Sequence, residues 1–250
     1  MDENLQSERI RLLDCPIDNM SMSETIQQIG SLIENGKKIH HVVVNAAKLV
    51  KMQKDERLRE AIVEYDIINS DGQSIVWASQ FLGTPLKERV AGIDLMENLV
   101  KLAHKRKYRV FLLGATAEVV KRVAETYSTE FDDQLIAGYR DGYFSAAEEV
   151  EVADQIAMSR PDMLFVAISS PKKELFLDKF KDVFDIPFVM GVGGSFDIVS
   201  GLTKRAPKWM QKNGLEWFYR VLQEPRRMWK RYLTTNALFV FLVIKERFRK

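Results

Sequence analysis

With 250 residues, 46% hydrophobic and 29% charged, the chain has enough apolar material for one full-sized core beneath an ordinary charged surface. The single cysteine, Cys15, excludes an internal disulfide, and three histidines (His40, His41, His104) make no zinc ligand set, so a reducing cytoplasm and no cofactor are expected. Net charge is only +2, but residues 201–250 hold thirteen Lys or Arg against three acids, a surplus of ten, which leaves the first two hundred residues with a surplus of eight negative charges. A basic tail on an acidic body points to an anionic partner: phospholipid headgroups, nucleic acid or a phosphate-bearing substrate.

The first thirty residues carry charges throughout and lack the apolar stretch of a secretion signal, so no export is expected. From there on, short β-branched apolar runs alternate with helical stretches. The run at 41–45 precedes a helix predicted over 46–63, and 67–70 precedes one over 73–81. A helix over 93–107 leads into the run 108–114, then a helix over 118–130. The runs 135–138, 163–168 and 188–192 are separated by helices over 146–158 and 172–180. Near-continuous hydrophobicity within the runs predicts a mostly parallel sheet covered on both faces, an α/β, Rossmann-like domain spanning 1–200. Past Gly201 the alternation stops, and Trp209, Trp217, Tyr219, Trp229 and Tyr232 are interleaved with basic residues. Pro225 suits the first turn of a helix running to about Phe248, so 201–250 is expected to be a helical appendage. Its charge-free run, 232–244, falls short of the roughly 20 residues that span a bilayer, so it is expected to lie on a membrane rather than cross it.

Ligands of such sheets bind outside the carboxyl ends of the strands. The residues there are Asn45, Asp71-Gly72, Gly114 to Thr116, 139–144 with Tyr143, Ser169 to Pro171, and 191–197. In the last, Gly193 and Gly194 would let backbone N–H groups approach a diphosphate; Phe196 stands where a Gly-x-Gly-x-x-Gly motif has its third glycine. A tight strand-to-helix turn capped by Asp197 is the equal alternative. Asp71 is placed either as a general base toward an acceptor hydroxyl or as a helix N-cap. Arg89 and Arg205 lie in loops, suited to forked phosphate recognition or to solvated surface charge. No Asp-x-Asp occurs, so a diphosphate would be met by cationic side chains and backbone dipoles rather than a metal. Arg220, Arg227 and Arg231 share a face only if the helix is continuous through Pro225. The apolar and basic residues of 226–249 describe either a helix in a headgroup layer or one docked on its own core or on a second subunit.

Taken together, Asp71-Gly72, the stretch 88–94 (Glu-Arg-Val-Ala-Gly-Ile-Asp), 171–174 (Pro-Lys-Lys-Glu), 191–197 (Gly-Val-Gly-Gly-Ser-Phe-Asp), 205–207 (Arg-Ala-Pro), 214–217 (Gly-Leu-Glu-Trp) and 224–227 (Glu-Pro-Arg-Arg) are similar to the WecG/TagA/CpsF glycosyltransferases, glycosyltransferase family 26. The match runs from about Asn45 to Tyr232. Resemblance implies a metal-independent, inverting transfer from a UDP-sugar (N-acetylmannosamine, its uronate or another hexose) to a sugar on a polyprenyl diphosphate. The products in that family are wall teichoic acid linkage units, enterobacterial common antigen, capsule or exopolysaccharide. It also implies a peripheral protein on the inner face of the cell membrane, with self-association suggested. Carried over, Asp71 matches the catalytic base and Arg89 the arginine near the leaving diphosphate. Asn45 matches a polar pocket residue, and donor contacts are expected from Gly114, Tyr143, Lys173, Gly193, Gly194, Phe196 and Asp197. Arg205, Arg220, Arg226 and Arg227 are expected on the acceptor or the diphosphate. Val43 and Lys173 depart from the Thr and Gln common in similar proteins, and an ammonium at 173 suits a carboxylated donor or a diphosphate. Two other readings compete: a non-catalytic nucleotide-binding protein docked on membranes, which predicts UDP binding without turnover, and a nucleic-acid binder, for which no recognised module is present.

Overall fold

The computed structural model describes residues 8–249, the side chains of 227–232 excepted. The chain opens with two elements that apolar periodicity did not announce. An antiparallel hairpin, β1 (Arg9–Leu12) and β2 (Cys15–Asp18), turns at Leu13 and Asp14, both at positive φ. Helix α1 (Met22–Glu34) follows, started by a capping box: Ser21 Oγ accepts from Glu24 N–H while the Glu24 carboxylate accepts from Ser21 N–H.

The predicted alternation then forms. β3 (Ile39–Val44), α2 (Ala46–Met52), α3 (Glu56–Val63), β4 (Ile67–Ser70), α4 (Gln73–Phe81), α5 (Gly92–Arg106), β5 (Val110–Gly114) and α6 (Ala117–Glu130) come first. After a 3₁₀ turn come β6 (Ile136–Arg140), α7 (Glu149–Met158), β7 (Met163–Ala167), α8 (Lys172–Lys179), β8 (Phe188–Gly191) and α9 (Ser195–Val199). The appendage is α10 (Lys208–Lys212), α11 (Glu216–Gln223) and α12 (Pro225–Arg247). One helix was expected over 46–63 and two form, because Asp55 is extended and its carboxylate accepts from Leu58 N–H at 3.1 Å, starting a fresh helix.

Six strands make one all-parallel sheet in the order β4-β3-β8-β7-β5-β6. Successive residues face opposite sides. Val43, Met190, Phe165 and Leu112 point into a core built with α1, α5 and α6. Val42 and Val44 pack beneath α2 and α4, and Val189, Leu164, Val166, Phe111 and Leu113 beneath α7 and α8. Burial on both faces is why the strands read as unbroken apolar runs. The β4 edge is covered by the hairpin: Asp18 is buried, accepts from Ile68 N–H of β4 at 2.7 Å, and is paired with Arg9 at 3.0 Å. Helix α12 returns to the same side, inserting Phe239 and Val243 among α2 residues, and Glu246 accepts from Leu13 N–H at 2.9 Å. Of the two readings of that segment, docking on its own core therefore describes this end of the helix. Its other face exposes Leu233, Val240, Phe241, Ile244 and Phe248.

Inside the sheet, His41 Nε2 lies 2.9 Å from Asn69 Oδ1, with both side chains buried. Burial pushes the imidazole pKa down to about 4, so the folded state resists a proton that the unfolded chain accepts near 6.5. Stability is thus greatest above pH 6.5 and falls as pH drops from there through about 4, by roughly 3 kcal/mol at the full shift. Urea titrations at pH 7.5 and 5, with an NMR titration in which the His41 imidazole stays neutral at pH 5, check this.

Candidate active site

The residues singled out from the sequence lie along the carboxyl edge of the sheet, and strand order decides which of them meet. Asn45 after β3 and the glycine loop after β8 end adjacent strands near the middle of that edge, so they flank the same crevice outside the strand ends. Asp71, after β4, is one strand further out, and Lys173, opening α8 after β7, is one strand in on the other side. Tyr143 follows β6 on the opposite edge and is 79% exposed, but its loop folds back across β5 toward α8: Gly142 N–H donates to Ala115 O at 3.0 Å, and Lys172, next to Lys173, donates to Phe144 O at 2.6 Å. Its loop thus stands beside Gly114 and the start of α8, on the side of the edge away from Asp71.

Asp71 is half-buried, and it is not the N-cap of α4; Gly72 holds that place and makes no side-chain cap. Its Oδ1 instead accepts from Gly92 N–H, the first residue of α5, at 3.0 Å, where the helix dipole favours a negative charge. Gly92 is tight there, since a Cβ would come 3.2 Å from Val43 Cγ2. Burial raises the Asp71 pKa above the usual carboxylate range, against the pull of the Gly92 N–H, Arg89 and Arg220; Glu216 pushes the same way as burial. A carboxylate so raised and fixed at the mouth of a crevice has the character of a general base.

The guanidiniums around it are engaged rather than solvated. Arg89 Nη1 donates to Glu216 Oε2. Arg205 forks onto Asp94 of α5 at 2.6 and 2.7 Å, and its Nε lies 3.6 Å from Glu216 Oε1. Surface placement, the alternative for both arginines, is excluded by their burial to 14% and 21% side-chain exposure. Arg220 is one helical turn beyond Glu216 on α11, exposed, and close enough for its charge to act on Asp71. Arg226 is exposed in the first turn of α12, and the Arg227 side chain lies outside the described residues.

Beneath the crevice is a buried charge cluster. Lys48 Nζ donates to Val43 O and lies 2.9 Å from Glu174 Oε1, and Lys173 Nζ is 3.7 Å from the same oxygen. Burial pushes the Lys173 ammonium down to about 8, helped by Lys48 and opposed by Glu174 and Asp71. Its side chain crosses Gly191, where a Cβ would come within 2.5 Å of Lys173 Cε, so a side chain at the end of β8 would have to displace the lysine. Asn45 is half-buried and caps α2, its Oδ1 accepting from Lys48 N–H at 3.0 Å.

In the glycine loop, Gly193 (φ +55) and Gly194 are exposed at the start of α9. Phe196, expected against the donor, is instead wholly buried in the core and anchors the loop from below. Asp197 sits inside the first turn of α9, whose N-cap is Gly194, so it does not cap the turn. Gly114 (φ +131) allows a close pass: a Cβ would lie 2.5 Å from Ala167 C and O. Among the described residues, no group of three or more His, Cys, Asp or Glu is placed to hold a metal ion. Residue-by-residue reading missed Glu216, Asp94, Lys48 and Glu174. The signal for three of them was their place inside motifs, 214–217, 88–94 and 171–174; for Lys48 there was none.

Comparison with known proteins bears on this arrangement. The model of the glycosyl transferase WecG/TagA/CpsF family matches residues 10–250. An N-acetylglucosaminyldiphosphoundecaprenol N-acetyl-beta-D-mannosaminyltransferase of Bacillus subtilis (strain 168) is 37% identical over 230 residues, 92% of this chain and 85% of that protein. Proteins of the same name from Bacillus spizizenii and Staphylococcus aureus (strain MW2) are 36% and 30% identical, covering 96% and 97% of this chain and 92% and 94% of theirs. A six-stranded parallel sheet, a carboxylate at its open edge, converging arginines and a match across nearly the whole chain lead to one assignment: the chain belongs to the WecG/TagA/CpsF glycosyl transferase family.

Proposed function

We propose that the protein transfers an N-acetylmannosaminyl group, or a closely similar sugar, from a UDP-sugar to a sugar carried on a polyprenyl diphosphate, with inversion. The observation that carries this reading is the setting of Asp71: a raised-pKa carboxyl at the carboxyl edge of β4, held by the Gly92 N–H with Arg89 and Arg220 nearby. Asp71 takes the proton of the acceptor hydroxyl, that oxygen attacks the anomeric carbon, and the bond from this carbon to the diphosphate oxygen breaks. The sugar inverts from α to β, and UDP leaves from the opposite face. Charge growing on the leaving diphosphate is met by arginines and by the amides of Gly193 and Gly194, without a metal. The relatives' names, which specify a diphosphoundecaprenol acceptor and a β-mannosaminyl product, support the substrate class and the stereochemistry.

The lipid carrier places the reaction at a membrane. Among the described residues no helix is long and apolar enough to cross one. The exposed row Leu233, Val240, Phe241, Ile244 on α12, with Arg226 at its start, supports docking in a headgroup layer. The test is UDP release with UDP-N-acetylmannosamine and N-acetylglucosaminyl-diphosphoundecaprenol in detergent micelles, with and without EDTA. Acceptor-dependent release unaffected by EDTA is expected. Release that needs an added divalent ion sinks the metal-free step, and UDP binding with no release under any donor favours the non-catalytic reading.

A further inference from the structure

Glu216 bridges two loops that carry cations. One oxygen accepts from Arg89, between α4 and α5; the other faces Arg205 Nε, between α9 and α10, at 3.6 Å. That Nε is buried and makes no hydrogen bond, a donor already aimed at the place where Glu216 sits. Around this point three guanidiniums (Arg89, Arg205, Arg220) face the carboxyls of Asp71, Asp94 and Glu216, with Glu97 acting on Arg205 as well, so a diphosphate arriving here adds negative charge to a set with no cation in surplus. Entry is favourable only if one carboxylate gives way. Asp71 is fixed to the N-terminus of α5, and Asp94 is locked in a two-bond fork. Glu216 differs because its helix is lightly held: α11 has eight residues, none of them buried. It is flanked by Gly214 at φ +70 and by Glu224 at φ −131, ψ 63, two joints outside helical geometry.

Resting on the glycosyl-transfer reading above, we infer that Glu216 is an internal competitor for the nucleoside diphosphate: its carboxylate takes the seat between Arg89 and Arg205, and the diphosphate displaces it and unlatches α11. Donor binding thereby frees the segment that bears Arg220, and Glu216 acts as a positioning residue through the two arginines. The exchange swaps one anion for another on the same donors and forms no covalent bond.

UDP binding to the full-length protein, measured by calorimetry for wild type, Glu216→Gln and Glu216→Asp, tests this, with hydrogen exchange over residues 214–224 with and without UDP. Removing the competing charge-assisted bond should tighten UDP binding roughly tenfold in Glu216→Gln. Glu216→Asp, which keeps the charge, should stay near wild type. In wild type, UDP should speed exchange across α11; in Glu216→Gln, exchange should be fast already. A brace that merely supports the fold would give the reverse, weaker UDP binding in Glu216→Gln and slower α11 exchange in wild type on adding UDP, and either result overturns the latch. The wild-type exchange measurement needs no variant and decides the matter if Glu216→Gln misfolds. If wild type binds no UDP at all, the nucleotide-sugar reading of the site falls and the latch falls with it. If UDP binds but leaves α11 exchange unchanged, only the latch falls.

Discussion

Asp71→Asn is expected to lower turnover by about 10²- to 10⁴-fold, the range general-base removal commonly costs, while leaving the protein folded and able to bind UDP. The substitution is nearly isosteric. An amide oxygen can still accept from Gly92 N–H, which lies 3.0 Å from Asp71 Oδ1, so the α5 contact persists. What is lost is the lone pair that receives the acceptor's proton. Because burial holds the wild-type carboxyl above its ordinary range, the acidic limb of the rate profile should lie above that of an exposed aspartate and disappear in the variant. Steady-state UDP release from pH 4 to 8 measures both effects. Turnover within threefold of wild type would remove Asp71 from the proton-transfer step.

Glu174→Gln should destabilise the fold by about 3–5 kcal/mol, the cost of breaking a buried ion pair by removing one partner. Glu174 is wholly buried between Lys48 and Lys173, which are 8% and 4% exposed. Burial by itself would raise its carboxyl, yet the two ammoniums outweigh that and hold it well below the usual range. Removing the negative charge leaves two ammoniums together in the interior. Lys48 also donates to Val43 O at the end of β3, so the damage should reach the Asn45 corner of the crevice. Equilibrium urea unfolding checks the magnitude, and a loss below about 1 kcal/mol would show that water or rearrangement compensates the lysines.

How much of this was legible beforehand differs from residue to residue. The helix over 73–81 and the strand over 67–70 were read with their true limits, because turn-forming Gly72 and the apolar run of β4 are local features. The hairpin at Arg9–Asp18 was not, because Ile10, Leu12, Cys15 and Ile17 are buried only once β4 lies beneath them. Asp55 is one charged residue among several in a helical pattern, and its capping role appears only in the backbone angle it adopts. Motif position did not separate Phe196, buried in the core, from the exposed Gly193 and Gly194, since a glycine-rich loop turns some residues outward and others into the core with no difference in composition.

Local pattern thus determined the alternating strands and helices, the parallel sheet, the identity of its carboxyl edge and the basic character of the tail, because hydrophobic period and turn chemistry act within a few residues. Only the tertiary structure decided that Asp71 is held by α5 rather than capping α4. It alone decided that Arg89 and Arg205 share one carboxylate from α11, that Lys48 and Lys173 share Glu174, and that Phe239 belongs to the core. The reason is distance along the chain: Arg89 and Glu216 stand 127 residues apart, and their attraction exists only after packing excludes water and brings them together.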